Sequence, residues 1–123
     1  MGKLKKSTRI KREKEKLLKN CEKFNEADKN LFAGHIDQQA FLKIELEDIR
    51  EKLDKEGWVE DFRNSPNLPE ISREKALAKQ YNNLSKIYDT YVKRLDDKII
   101  DVERKQKEKE QGKDDFDSFL DER

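Results

Sequence analysis

The chain has 123 residues, 46% of them charged and only 33% hydrophobic. That length argues for one domain, and that composition is poor material for a thick core within a single copy. Lys and Arg number 29 against 28 Asp and Glu, so the net charge of +1 names no partner by itself. Its distribution is more informative: Met1 to Lys23 carries ten basic residues against three acidic ones, and the last ten residues carry five acids against Arg123. The head is basic and the tail acidic. No apolar run approaches the roughly 20 residues that span a bilayer. No hydrophobic stretch follows the N-terminal charges, which speaks against a secretory signal. Cys21 and His35 are the chain's single cysteine and histidine, too few for the usual metal sites.

Residues 1–24 read as a mobile basic arm, helical in part and capped by Ser7 or Thr8, with Ile10, Leu17 and Leu18 as its main apolar interruptions. Lys3, Lys5, Lys6, Arg9, Lys11, Arg12, Lys14 and Lys16 are its candidate DNA contacts. Cations at this density neutralise phosphates and release counterions without reading bases. No aromatic is interleaved, which disfavours stacking on single strands.

Residues 25–105 form the predicted core of the fold, an antiparallel pair of long helices. Asn25 is the first N-cap, Glu26 and Asp28 suit the first turn, and Gly57 stands where a stop belongs. At about 100° per residue, Ala27, Leu31, Leu42, Leu46, Ile49 and Leu53 share one face with His35 and Gln38. Phe32, Ile36, Ala40 and Ile44 make a second stripe in the first half only, and one partner helix cannot cover both. These four are the candidate interface for a homo-oligomer. Residues 57–71, with Pro66 and Pro69, make the connection, and Trp58, Val59 and Phe62 are expected to tuck against the hairpin end. Ser72 is read as the cap of the second helix. Its apolar seam is Leu77, Tyr81, Leu84, Tyr88, Tyr91/Val92, Leu95, Ile99 and Val102.

Residues 106–123 are a charged extension, broken at Gly112, and an acidic tail. Phe116, Phe119 and Leu120 at i, i+3, i+4 present three apolar groups on one helical face, a pattern suited to docking in a partner's groove. Cys21 lies among cations that lower a thiol pKa, yet it has neither a base nor a resolving thiol. No phosphate loop, nucleophile elbow or metal cluster is present, so no catalytic residue, cofactor or small-molecule substrate is assigned.

Three motifs then carry a resemblance: Gln38-Gln39-Ala40-Phe41, Gly57-Trp58-Val59-Glu60 and Tyr81-Asn82-Asn83-Leu84, in this order across roughly residues 25–100. In order and spacing the chain resembles the small terminase subunits of tailed bacteriophages and prophages. The resemblance implies an all-α hairpin assembling into a homo-oligomeric ring in the cytoplasm of a bacterial host. It further implies binding of double-stranded viral DNA and recruitment of the large terminase subunit, which holds the ATPase and nuclease. Many members carry an N-terminal helix-turn-helix domain, for which a 24-residue arm is too short, so the binding expected here is backbone-dominated. The reading from another class is a structural coiled-coil adaptor that binds only other proteins.

Overall fold

The computed structural model describes residues 4–63 and 66–121, with residues 71–72 and 113–121 described as backbone only. Three helices and a small β-ribbon follow one another as α1 (Lys6–Asn20), α2 (Glu26–Glu56), β1 (Val59–Phe62), β2 (Ile71–Glu74) and α3 (Ala76–Asp121).

The long helix α2 begins and ends on chemistry legible in the sequence. Asn25 is its N-cap, accepting from the Asp28 backbone N–H at 2.7 Å, while Glu26 and Asp28 place negative charge at the positive end of the helix dipole. At the other end the Gly57 N–H donates to the Leu53 carbonyl at 2.7 Å. Gly57 then leaves at φ 94°, a left-handed conformation that a Cβ would strain. The antiparallel return is α3, pinned by Lys98 to Asp28 at 3.2 Å and by Lys75 Nζ to the Glu56 carbonyl at 2.8 Å.

Two apolar clusters lie along α2. Ile49, Leu53 and Ala78 are buried near the ribbon, with Leu77, Tyr81 and Leu84 against them. The larger cluster joins all three helices: Leu17, Cys21, Phe24, Ile36, Ala40 and Leu95, flanked by Ile10, Phe32, Ile99 and Val102. This arrangement corrects the expected oligomer interface. Ile36, Ala40 and Ile44 are 1%, 0% and 4% exposed within one chain and Phe32 is half-buried, because α1 folds back over this second stripe. The basic arm is likewise corrected, since residues 6–20 form a helix packed on α2. Its cap is Lys5, with no side-chain cap bond, and not Ser7 or Thr8.

Other expectations shift at the edges. Ala27 and Leu31 are exposed, Leu31 at 73%, because that turn of α2 presents Asp28 to α3 in their place. The connection holds an antiparallel ribbon with Val59 opposite Glu74 and Phe62 opposite Ile71, so Ser72 lies in a strand and is not a helix cap. Phe62 is covered by the Arg73 guanidinium 3.6 Å above its ring, and Trp58 meets Tyr81 edge-on at 5.4 Å while donating to Asp54 at 3.1 Å. Neither Val59 nor Trp58 is tucked in: Val59 is 60% exposed and Trp58 keeps 36% of its surface exposed despite its contact with Tyr81. Gly112 does not stop α3, which runs to Asp121. At about 1.5 Å per residue, its 46 residues exceed the 31 of α2 by some 20 Å.

Candidate nucleic-acid interface

Intrinsically α1 is a weak helix. No acid stands in its first turn, cations crowd its positive end, and 15 residues are few for a helix to stand alone. Packing and ion pairing hold it. Ile10, Leu17, Cys21 and Phe24 recur at helical spacing toward the core, and α1 doubles back along α2 through a tight turn in which Phe24 N–H donates to the Cys21 carbonyl at 3.0 Å.

A ladder of ion pairs lines this contact. Lys6 pairs with Glu45 and lies 5.4 Å from the Phe41 ring centroid. Arg9 reaches Asp48 at 2.6 Å and Glu47 at 2.9 Å, and Lys14 reaches Asp37 at 2.6 Å. Lys43 answers from α2 to Glu13 at 3.1 Å. The hydrogen bond that Arg9 donates to Asp48 holds its guanidinium above its usual range. Burial, the largest influence, pushes the Lys43 ammonium down, but the bond to Glu13 and the attraction of the surrounding negative groups together outweigh it and the net direction is upward. Burial pushes the neighbouring Tyr88 phenol up, with Lys43 pulling partly the other way. Pairs this close to the surface contribute about 0–1 kcal/mol each, so they align α1 more than they bind it.

Docking therefore divides the candidate DNA contacts. Lys6, Arg9 and Lys14 are committed to carboxylates of α2. Lys5, Lys11, Arg12 and Lys16 are exposed, and no ion pair engages them among the described residues. Lys3 lies outside the described residues. Lys19, in the last turn and also exposed, completes the set. Steps of seven, four and three bring Lys5, Arg12, Lys16 and Lys19 into one row opposite the buried edge of α1, over about 21 Å. The signal for Lys19 was present in that spacing. The signal that divides the others was not, because it resides in which α2 carboxylates α1 meets.

The remaining candidates stand apart from this row. Cys21 is 2% exposed, and burial pushes its thiol up, opposite to what nearby cations would do. His35 donates from Nε2 to the Tyr91 backbone carbonyl at 2.8 Å, its ring between Phe32 and Tyr91, which is a packing role. The Oε1 of Gln39 is buried with no hydrogen-bond partner. Phe116, Phe119 and Leu120 belong to the helical backbone of α3, but their side chains lie outside the described residues. Among the described residues no group of three or more His, Cys, Asp or Glu could hold a metal ion, and no helix is long and apolar enough to cross a membrane. What the outer face of α1 offers chemically is a line of unpaired positive charge. No protein-family model, no curated protein and no solved structure matches the chain.

Proposed function

We propose that this chain is a non-enzymatic DNA-packaging factor of the small-terminase kind, which binds double-stranded viral DNA through the outer face of α1. The observation that supports this most is the division of the arm's cations. Lys6, Arg9 and Lys14 align α1 on α2, and Lys5, Arg12, Lys16 and Lys19 stand outward without a carboxylate partner among the described residues. A prepositioned row contacts successive phosphates with little further ordering, and it carries no hydrogen-bonding pattern that reads base edges. Recruitment of the large subunit, self-association and a place in the bacterial cytoplasm come from the resemblance of the three sequence motifs, with Phe116, Phe119 and Leu120 as the docking residues.

The experiment is a salt titration of duplex binding by fluorescence anisotropy. Four phosphate contacts give a slope of log affinity against log salt near −3.6 per chain, at about −0.9 per phosphate. Arg12→Ala with Lys16→Ala should reduce the slope by about 1.8, whereas Lys6→Ala with Lys14→Ala should leave it nearly unchanged. An equal loss from both pairs would overturn the assignment. One observation favours the protein-only adaptor: the acidic flank of α2 already engages three of the arm's cations. A chain that binds no duplex even at low salt decides for that reading.

A further inference from the structure

The far end of α3 is at odds with its own charges. From Glu103 to Gly112 every residue is exposed, so no packing supports the helix beyond Val102. After Gly112 the sequence holds five acids against Lys113 and Arg123. Asp114, Asp115, Asp117 and Asp121 therefore fall at the negative end of the helix dipole, and no basic residue stands in the last turn. Asp117 and Asp121 are also four apart, a like-charge spacing that destabilises a helix. Gly112 weakens the same stretch by about 1 kcal/mol relative to Ala. A Cβ built there meets nothing within 4 Å, so no close approach calls for the glycine. On α1 the mismatch has the opposite sign: Lys5, Arg12, Lys16 and Lys19 are exposed, with no carboxylate partner among the described residues.

We infer that the acidic segment after Gly112 is a strap that folds back at this glycine onto the cation row of α1 and competes there with the duplex. The competition rests on the reading of that row as the DNA contact. Reach permits it. Both α1 and α3 run antiparallel to α2, and Lys23 and Gln106 line the same groove, which sets those two residues level. At 1.5 Å per residue, Gly112 lies about 9 Å beyond that level and Lys19 about 6 Å before it. With a helix diameter of about 10 Å to cross, the path from Gly112 is about 18 Å to Lys19 and about 22 Å to Lys16. Extended chain at about 3.3 Å per residue carries Asp117 about 17 Å and Asp121 about 30 Å. Asp117 thus meets Lys19, and Asp121 passes Lys16 with slack. The continuous α3 of the structure is the open state of the strap, with the row free for phosphates. A partner that grips Phe116, Phe119 and Leu120 holds the segment off α1, so docking of the tail and binding of DNA favour each other.

The test removes two carboxylates from the full chain, Asp117→Asn with Asp121→Asn. Asp96→Asn with Asp97→Asn is the control of equal charge, since both residues are exposed and unpaired among the described residues. On a straight α3, Asp117 lies about 22 Å along the axis from Lys19. That is twice the Debye length of about 10 Å at 0.1 M salt, so an undocked tail hardly acts on the row. With the strap, the tail variant should shift the Lys16 and Lys19 backbone amides in the magnetic resonance spectrum. It should also lower the duplex dissociation constant at least about threefold, as when the strap holds the row about two-thirds of the time. The control should do neither. Unmoved α1 amides, or equal gains in affinity from both variants, would overturn the inference. A chain that binds no duplex, but whose α1 amides move in the tail variant alone, keeps the strap and loses the DNA reading. Duplex binding that is the same in the wild type and both variants keeps the DNA reading and loses the competition.

Discussion

Leu17 and Leu18 are adjacent, identical in type and alike in helix propensity, but α1 buries Leu17 to 8% exposure and leaves Leu18 at 46%. Truncating each to Ala therefore isolates the packing of α1 from its propensity. Leu17→Ala removes three carbons from the three-helix cluster, a transfer loss of about 2.4 kcal/mol at ~0.8 per methylene. A cavity contribution adds to this, limited because a peripheral helix can settle inward. A cost of about 2.5–3 kcal/mol is expected. Leu18→Ala loses at most about half the transfer contribution, near 1 kcal/mol, and leaves no cavity. For about 100 ordered residues the two variants should differ in Tm by roughly 10 °C. Urea denaturation followed at 222 nm measures the energies, and hydrogen exchange across residues 6–20 locates the loosening. Equal costs for the two variants, or no change in exchange over α1, would refute the docking of this helix.

Two further outcomes follow from the same cluster. Cys21 is buried and its thiol pushed up, so an aromatic disulfide reagent should modify it only through opening of α1. Leu17→Ala should speed that reaction by about 60-fold, the 2.5 kcal/mol loss at 1.4 per decade, and an unchanged rate would place Cys21 outside the α1 contact. Gln39 is 5% exposed with an unpartnered Oε1, so Gln39→Met should stabilise the chain by about 1 kcal/mol in the same urea assay. A comparable loss of stability would mean that the oxygen is satisfied.

Most of the long-helix pair was legible in the sequence because its signals are local and chemical. Asn25 with two acids behind it, Gly57 at the stop, and a seam from Leu77 to Val102 each state their consequence without reference to distant residues. The ribbon was hidden for the opposite reason. Val59–Phe62 and Ile71–Glu74 are four residues each, too short for an alternating pattern to stand out from a connection containing two prolines. The inward edge of α1 was legible only if Cys21 and Phe24 were counted with Ile10 and Leu17 as one stripe. Without that step the second stripe of α2 lacked a cover, and a neighbouring subunit was the natural inference.

The consequence reaches the candidate site, because docking of α1 is what sorts its cations. As Lys6 and Lys14 bind Glu45 and Asp37, they leave the cations on the far side of α1 as a separate row. Deleting residues 1–20 is therefore a poor test of DNA binding by the arm. It would also uncover Ile36, Ala40 and Ile44, and restore two bare carboxylates beside Phe41 and Gln38. A truncated chain would lose duplex affinity and gain an adhesive apolar stripe together, and the two effects could not be told apart. Substitutions confined to Arg12 and Lys16 avoid this, since both side chains point away from α2 and engage no carboxylate among the described residues. The arm's charge count, which is all that composition supplies, combines cations that hold the fold with cations that face a partner. Only the pairing across α1 and α2 tells them apart.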